Sequence, residues 1–154
     1  MKTLVVYYSR TGTTRKVGEE IAKKLKADKE ELVDTVKRGG IWGWIIAGRD
    51  GMKRSLTKLK RPEKDPGDYD LVIIGTPIWV SMTPPIRTYL TAFKRKFKKV
   101  AFFCTMGGRG DEKAFEEMSD MISLEPITTL ALTTKEVIRD NFKEKLAEFT
   151  SELK

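Results

Sequence analysis

The 154-residue sequence contains no histidine and only one cysteine, Cys104. Without histidine there is no serine–histidine triad, no histidine metal cluster and no imidazole base titrating near neutral pH. A lone cysteine forms no internal disulfide, which suits a reducing compartment. Long apolar runs are missing as well: none approaches the ~20 residues that a membrane-spanning helix needs. The opening Met1-Lys2-Thr3-Leu4-Val5-Val6 runs directly into a β-rich segment and has neither the apolar h-region nor the cleavage site of a signal peptide. These absences lead to the expectation of a cytoplasmic protein whose chemistry comes from a cofactor or from side chains other than histidine.

What is present describes an ordinary globule. Apolar residues make up 40% and charged residues 34% of the chain, outside the range of disordered sequences. The length suits one domain with a substantial core, and no linker, repeat or composition break divides it, so residues 1–154 are expected to form a single domain. The net charge is +8, from 30 basic and 22 acidic residues. A lysine-rich solvated surface accounts for that balance, and an anionic ligand or acidic partner proteins are the alternative. No recognition-module signature accompanies the charge, so nucleic acid is not expected as a partner.

Strand and helix patterns alternate along the chain, which argues for a parallel sheet covered on both faces. Strands are expected at Thr3–Tyr8, Glu31–Thr35, Asp70–Gly75, Val100–Cys104 and Pro126–Leu132. Helical stripes are carried by Val17, Ile21, Ala22 and Leu25, and by Phe115, Met118 and Ile122. Another helix opens at Thr83-Pro84-Pro85, proline suiting a first helical turn, with Ile86, Leu90, Phe93 and Phe97 as its stripe. The last helix carries Ile138, Phe142, Leu146, Phe149 and Leu153, and Thr133 and Glu136 have the spacing of its capping box.

Between the first strand and first helix lies Ser9-Arg10-Thr11-Gly12-Thr13-Thr14. Four hydroxyls, a glycine and free backbone N–H groups at a helix N-terminus suit a phosphate. Arg15 and Lys16 follow in the first turn, where acidic side chains normally complement the dipole. Two cations there need an anion or nearby carboxylates to offset them, and the contrast with the capped final helix points to a ligand. A hydroxyl-rich cap with incidental basic residues is the plainer reading. Neither the Walker A ending nor the Gly-x-Gly-x-x-Gly fingerprint is present.

The pattern Ser/Thr-x-Thr-Gly-x-Thr after the first strand resembles the phosphate loop of the flavodoxin family, which holds the phosphate of flavin mononucleotide (FMN). Two later loops support the resemblance. Gly75-Thr76-Pro77-Ile78-Trp79 follows the third strand, and the resemblance implies that Trp79 stacks on the flavin ring; roofing of the core is its alternative role. Thr105-Met106-Gly107-Gly108-Arg109-Gly110-Asp111 follows the fourth strand. Its glycines permit close approach of backbone to a ligand, and its N–H groups suit the carbonyl edge of the flavin; a flexible capped connection is the alternative. This loop lacks the tyrosine that flavodoxins commonly place there, which leaves one ring face open or covered by Met106 or a partner.

The resemblance spans essentially the whole chain. It implies an α/β three-layer sandwich with a five-stranded parallel sheet in the order 2-1-3-4-5. It also implies FMN as cofactor, held by Ser9, Arg10, Thr11, Gly12, Thr13, Thr14, Thr76, Pro77, Ile78, Trp79, Thr105, Met106, Gly107, Gly108, Arg109 and Asp111. A response-regulator receiver shares this architecture but needs acidic residues where the chain has Tyr7-Tyr8-Ser9 and Gly75-Thr76-Pro77. Cys104 to Arg109 is one residue short of the cysteine-phosphatase loop, and Cys104 reads as a buried strand-end residue.

Three functions remain open. An electron carrier between redox partner proteins is preferred for the short chain. An NAD(P)H-dependent quinone or flavin reductase is favoured by the basic charge and the missing tyrosine. An interaction module draws on Gly39 to Arg49, where Trp42 and Trp44 would pack over the sheet, join a homodimer or, with Arg49, Lys53 and Arg54, meet a membrane surface. The run Lys94 to Lys99 is a solvated helix end or a dock for an acidic partner.

Overall fold

A computed structural model describes residues 1–34 and 59–154. Five parallel strands form one sheet: β1 (Thr3–Tyr7), β2 (Asp28–Glu31), β3 (Leu71–Pro77), β4 (Val100–Met106) and β5 (Thr129–Thr133). Their order is β2-β1-β3-β4-β5, the order implied by the resemblance. The described helices are α1 (Thr13–Leu25), α2 (Pro84–Phe93), α3 (Asp111–Ile122), α4 (Thr134–Ile138) and α5 (Lys143–Ser151).

Alternation along the strands divides the core into two layers, because successive side chains of a strand leave opposite faces. Leu4, Val6, Val72, Ile74 and Phe102 meet Ile86 and Leu90 of α2 and Phe115 and Met118 of α3 on one face. Val5, Tyr7, Ile73 and Phe103 meet Val17 and Ile21 of α1, Val137 of α4 and Leu146 and Phe149 of α5 on the other. Both faces are covered, which is why β1, β3 and β4 read as nearly unbroken apolar runs. Gly75 has a packing reason to lack a side chain: a Cβ there would lie 2.0 Å from the Phe103 ring.

Several boundaries differ from the sequence reading: β1 stops at Tyr7, β3 spans Leu71–Pro77, β4 runs on to Met106, and α2 ends at Phe93, so Phe97 is buried beyond the helix whose stripe it was read to complete. The second strand is Asp28–Glu31, not Glu31–Thr35. It is an edge strand of charged, partly exposed residues, and its ladder to β1 (Leu4 opposite Asp28, Tyr7 opposite Glu31) sets its position instead of its own hydrophobicity. The apolar Leu32 that suggested the later start is buried just beyond the strand, its N–H donating to Tyr7 O at 2.8 Å. The fifth strand spans Thr129–Thr133 and so starts after Pro126, which has no N–H for a ladder.

The final helix is two helices. α4 ends at Ile138, Asp140 adopts a left-handed φ of 56°, and α5 begins at Lys143. Ile138 is 71% exposed as a result, while Phe142, Leu146, Phe149 and Leu153 are buried as expected. The capping box forms as read: Glu136 N–H donates to Thr133 Oγ1 at 3.1 Å and Thr133 N–H to Glu136 Oε1 at 2.9 Å. No helix among the described residues is long and apolar enough to cross a membrane. The segment with Trp42, Trp44, Arg49, Lys53 and Arg54, and hence the proposed dimer or membrane contact, lies outside the described residues.

Candidate functional site

In the order 2-1-3-4-5 the chain leaves β1 toward β2 on one side and reaches β3 on the other. Open α/β sheets bind ligands in the crevice at the carboxyl ends of such diverging strands. The first loop (residues 8–12) and the second (residues 78–83) flank that crevice, and the third (residues 107–110) lies next to the second.

The first loop is shaped by Ser9, whose buried Oγ accepts from the N–H groups of Gly12 and Arg15, both at 3.1 Å. Gly12 is the N-cap of α1 with φ 99°, a conformation that glycine adopts without strain, and it offers no capping side chain. The N–H groups of Thr11, Thr13 and Thr14 consequently have no acceptor among the described residues. Thr11 and Thr13 bring their hydroxyls to within 3.3 Å of each other at the same opening. This donor set, at the positive end of a 13-residue helix, fits a phosphate.

The cations of the first turn are offset within the protein, not left for a ligand. Arg15 forms a two-pronged pair with Glu31 of β2 at 2.8 and 2.7 Å, and Lys16 lies 3.5 Å from Asp140. The anion-binding case therefore rests on the open amides and not on uncompensated charge.

The second loop presents Trp79 with 48% of its surface exposed. The Arg10 guanidinium lies over its ring at 5.4 Å, and Tyr8 meets it edge-on at 6.3 Å, so the first and second loops touch through these three residues. Tyr8 was not among the candidates read from sequence; its place just past the end of β1, beside Ser9, was the available signal. Burial, then the nearby Asp34 carboxylate, raises its phenol above the ordinary tyrosine range. Thr76, read as a ligand residue, is fully buried and braces the loop, donating to Pro77 O at 2.8 Å and accepting from Thr83 N–H at 3.1 Å. Pro77 and Ile78 are half-buried, and Ile78 N–H donates to Thr105 O at 2.8 Å, joining the second loop to the end of β4.

The third loop contributes exposed backbone. Gly107 and Gly108 have open space where a Cβ would stand, and Arg109 beside them is exposed. Gly110 is the N-cap of α3 with φ 111°, and a Cβ on it would come within 2.9 Å of Ile78. Met106 is half-buried and its carbonyl accepts from Thr134 at 3.2 Å; Asp111 begins α3 and is likewise half-buried. Thr105 is a second brace: its buried hydroxyl pairs with that of Thr14 at 2.8 Å, tying α1 to β4. Burial pushes the Cys104 thiol up to about 12, consistent with an inert strand residue.

The three loops are thus contiguous. Thr14, Thr76, Thr105 and the Ser9 hydroxyl hold them in place. Arg10, Thr11, Gly12, Thr13, Trp79, Gly107, Gly108 and Arg109 remain accessible at least in part.

Among solved structures, the chain is similar to a flavoprotein from Lactobacillus acidophilus NCFM in complex with FMN, at 26% identity and a TM-score of 0.67 over 90% of this chain and 97% of that one. It shares its fold with oxidised flavodoxin 2 from Bacillus cereus, at 18% identity and a TM-score of 0.61 over 99% and 97% of the two chains. An NADH:FMN oxidoreductase has the same fold, at 11% identity and a TM-score of 0.63 over 99% and 86%. No curated protein sequence matches the chain. The model of the flavodoxin family matches residues 46–148, well over half of the sequence. With a sheet in this order and three loops meeting at its switch point, the chain belongs to the flavodoxin family.

Proposed function

We propose that the chain binds FMN at this edge and shuttles electrons between redox partner proteins. The observation that carries the reading is that the unpaired amides of Thr11, Thr13 and Thr14 and the exposed indole of Trp79 flank the same β1–β3 crevice. The complex of the Lactobacillus acidophilus flavoprotein with FMN supports the choice of cofactor. When bound, FMN supplies the electron-carrying chemistry, and the protein supplies position and electrostatics.

The roles follow from accessibility. Amides and hydroxyls of Thr11 and Thr13, with the Thr14 amide, hold the phosphate. Trp79 offers an aromatic face to the ring, and the amides of Gly107 and Gly108 meet its carbonyl edge. Arg10 and Arg109 are cations at the rim that favour added negative charge within the crevice. Acidic redox proteins are the partners that the +8 charge suits, and a cytoplasmic setting belongs to the same reading.

A second reading, an NAD(P)H-dependent quinone or flavin reductase, is favoured by one observation. The third loop has no tyrosine, and its exposed glycines leave room for a small acceptor beside the ring.

Titration of flavin-freed protein with FMN tests the central claim. Stoichiometric quenching of flavin fluorescence is expected, weakened in Trp79→Ala; unchanged FMN emission at saturating protein rejects it. Mixing the loaded protein with NADH or NADPH and a quinone then separates the two readings. Turnover identifies a reductase, and a flavin that stays oxidised identifies a carrier.

A further inference from the structure

A second concavity lies beside the second loop, between it and α3. Its volume is about 380 Å³, within the range of small-molecule sites. Trp79, Val80 and Met82 line it from the loop, Arg87 from α2, and Lys113 and Glu117 from α3. None of the first-loop residues lines it, nor do Gly107 and Gly108; Trp79 alone is shared with the proposed flavin site.

The cleft has fixed walls. The Ser81 hydroxyl donates to the Glu117 carboxylate, which ties the loop to the second turn of α3. Behind it, Thr83 N–H is held by the buried Thr76 hydroxyl at 3.1 Å. A loop anchored at two points loses little freedom when a ligand arrives, which favours binding. The walls are also chemically divided. Val80 is 84% exposed and Trp79 48% exposed, two apolar side chains left in water beside the buried Met82. Facing them are two cations and one carboxylate; the carboxylate accepts from Ser81, and Arg87 Nη1 donates to Met121 Sδ at 3.9 Å. Lys113 is exposed and forms no ion pair among the described residues.

We propose that this cleft is a binding site for a small organic anion: an aromatic body resting on Trp79, Val80 and Met82, with one carboxylate or sulfonate toward Lys113 and Arg87. The proposal goes beyond the flavin reading and does not depend on it.

Naphthalene-2-sulfonate, which is redox-inactive, is a suitable probe, with 2-naphthalenemethanol as its neutral counterpart. Each is titrated into ¹⁵N-labelled full-length protein, with and without one equivalent of FMN, while backbone amide shifts are followed. The sulfonate is expected to produce saturable shifts at Val80, Ser81 and Lys113, and the alcohol to bind at least about tenfold more weakly. Lys113→Glu, on an exposed helix face, is expected to weaken the sulfonate by about tenfold, and Lys113→Arg to stay within about twofold. Amide spectra of the variants report that they are folded. Shifts that do not saturate, that fall elsewhere, or that are indifferent to Lys113→Glu overturn the proposal. Shifts of Thr11 to Thr14 on adding FMN report the flavin site separately, so either reading can fail while the other stands.

Discussion

The hydroxyl pair between Thr14 and Thr105 offers a demanding test of how the site is braced. The two oxygens are 2.8 Å apart, with 1% and 2% of their residues exposed, and they join the first turn of α1 to the last residues of β4. Thr14→Val keeps the shape but removes one hydroxyl, leaving the Thr105 hydroxyl buried beside a methyl group. A lost hydrogen bond costs ~0.5–1.5 kcal/mol, and an orphaned buried partner raises the penalty to ~1–3 kcal/mol. Thr105→Val should cost the same for the same reason. The double variant Thr14→Val/Thr105→Val leaves no orphan, and apolar groups of matching shape can replace such a pair at nearly no cost. The expected cycle is therefore strongly non-additive: each single variant loses ~1–3 kcal/mol, and the double loses less than their sum by ~1 kcal/mol or more. Urea denaturation of the flavin-free protein at 25 °C measures all four corners. Thermal midpoints should fall by about 2–4 °C per kcal/mol for a chain of this length. Additive losses, or single variants as stable as the parent, would refute the claim that this pair is a buried brace.

Three further outcomes are expected. Gly110→Ala forces a Cβ into a backbone with φ 111° and to within 2.9 Å of Ile78, so it should lose ~1–2 kcal/mol from the left-handed conformation alone. Gly107→Ala meets nothing within 4 Å and should change stability by less than ~0.5 kcal/mol, yet weaken FMN if the ring edge lies against that amide. Paired denaturation and FMN titrations of the two variants check this contrast. Glu136 has its carboxyl held below the usual range, first by Lys145 and then by the Thr133 N–H. Its contribution is complete above the unfolded value of ~4.3 and disappears as pH falls through the lower folded one, so Glu136→Gln should flatten the acid limb of stability below about pH 4.3. Cys104, fully buried and with its thiol raised to about 12, should ignore a disulfide reagent at pH 8 until the protein unfolds. Rapid labelling of the native protein would contradict its burial.

How much of this was legible in the sequence depended on whether a signal was local. Leu4-Val5-Val6-Tyr7 and Leu71-Val72-Ile73-Ile74 announce strands buried on both faces, because each residue must find apolar company whichever way it points. Thr133 and Glu136 announce a cap, because both partners lie within one helical turn. Non-local partners broke the reading. Asp28–Glu31 is a strand only because β1 offers it a ladder, and nothing in four charged residues says so. Arg15 and Lys16 looked uncompensated because Glu31 sits on a neighbouring strand and Asp140 in the break between α4 and α5, a break that the apolar stripe concealed. The same limit sorts the site residues. A hydroxyl in a loop suits either a phosphate or another hydroxyl, and only the packing of α1 on β4 assigns Thr14 and Thr105 to each other while Thr11 and Thr13 stay at the opening. Backbone needs no such assignment: Gly12 and Gly110 both start helices at φ near 100°, where a Cβ is strained, although the sequence reading takes Asp111, the first residue of α3, as the cap of the third loop. Within the candidate site, packed hydroxyls hold the loops, and the unpaired amides face the opening with Thr11 and Thr13 beside them.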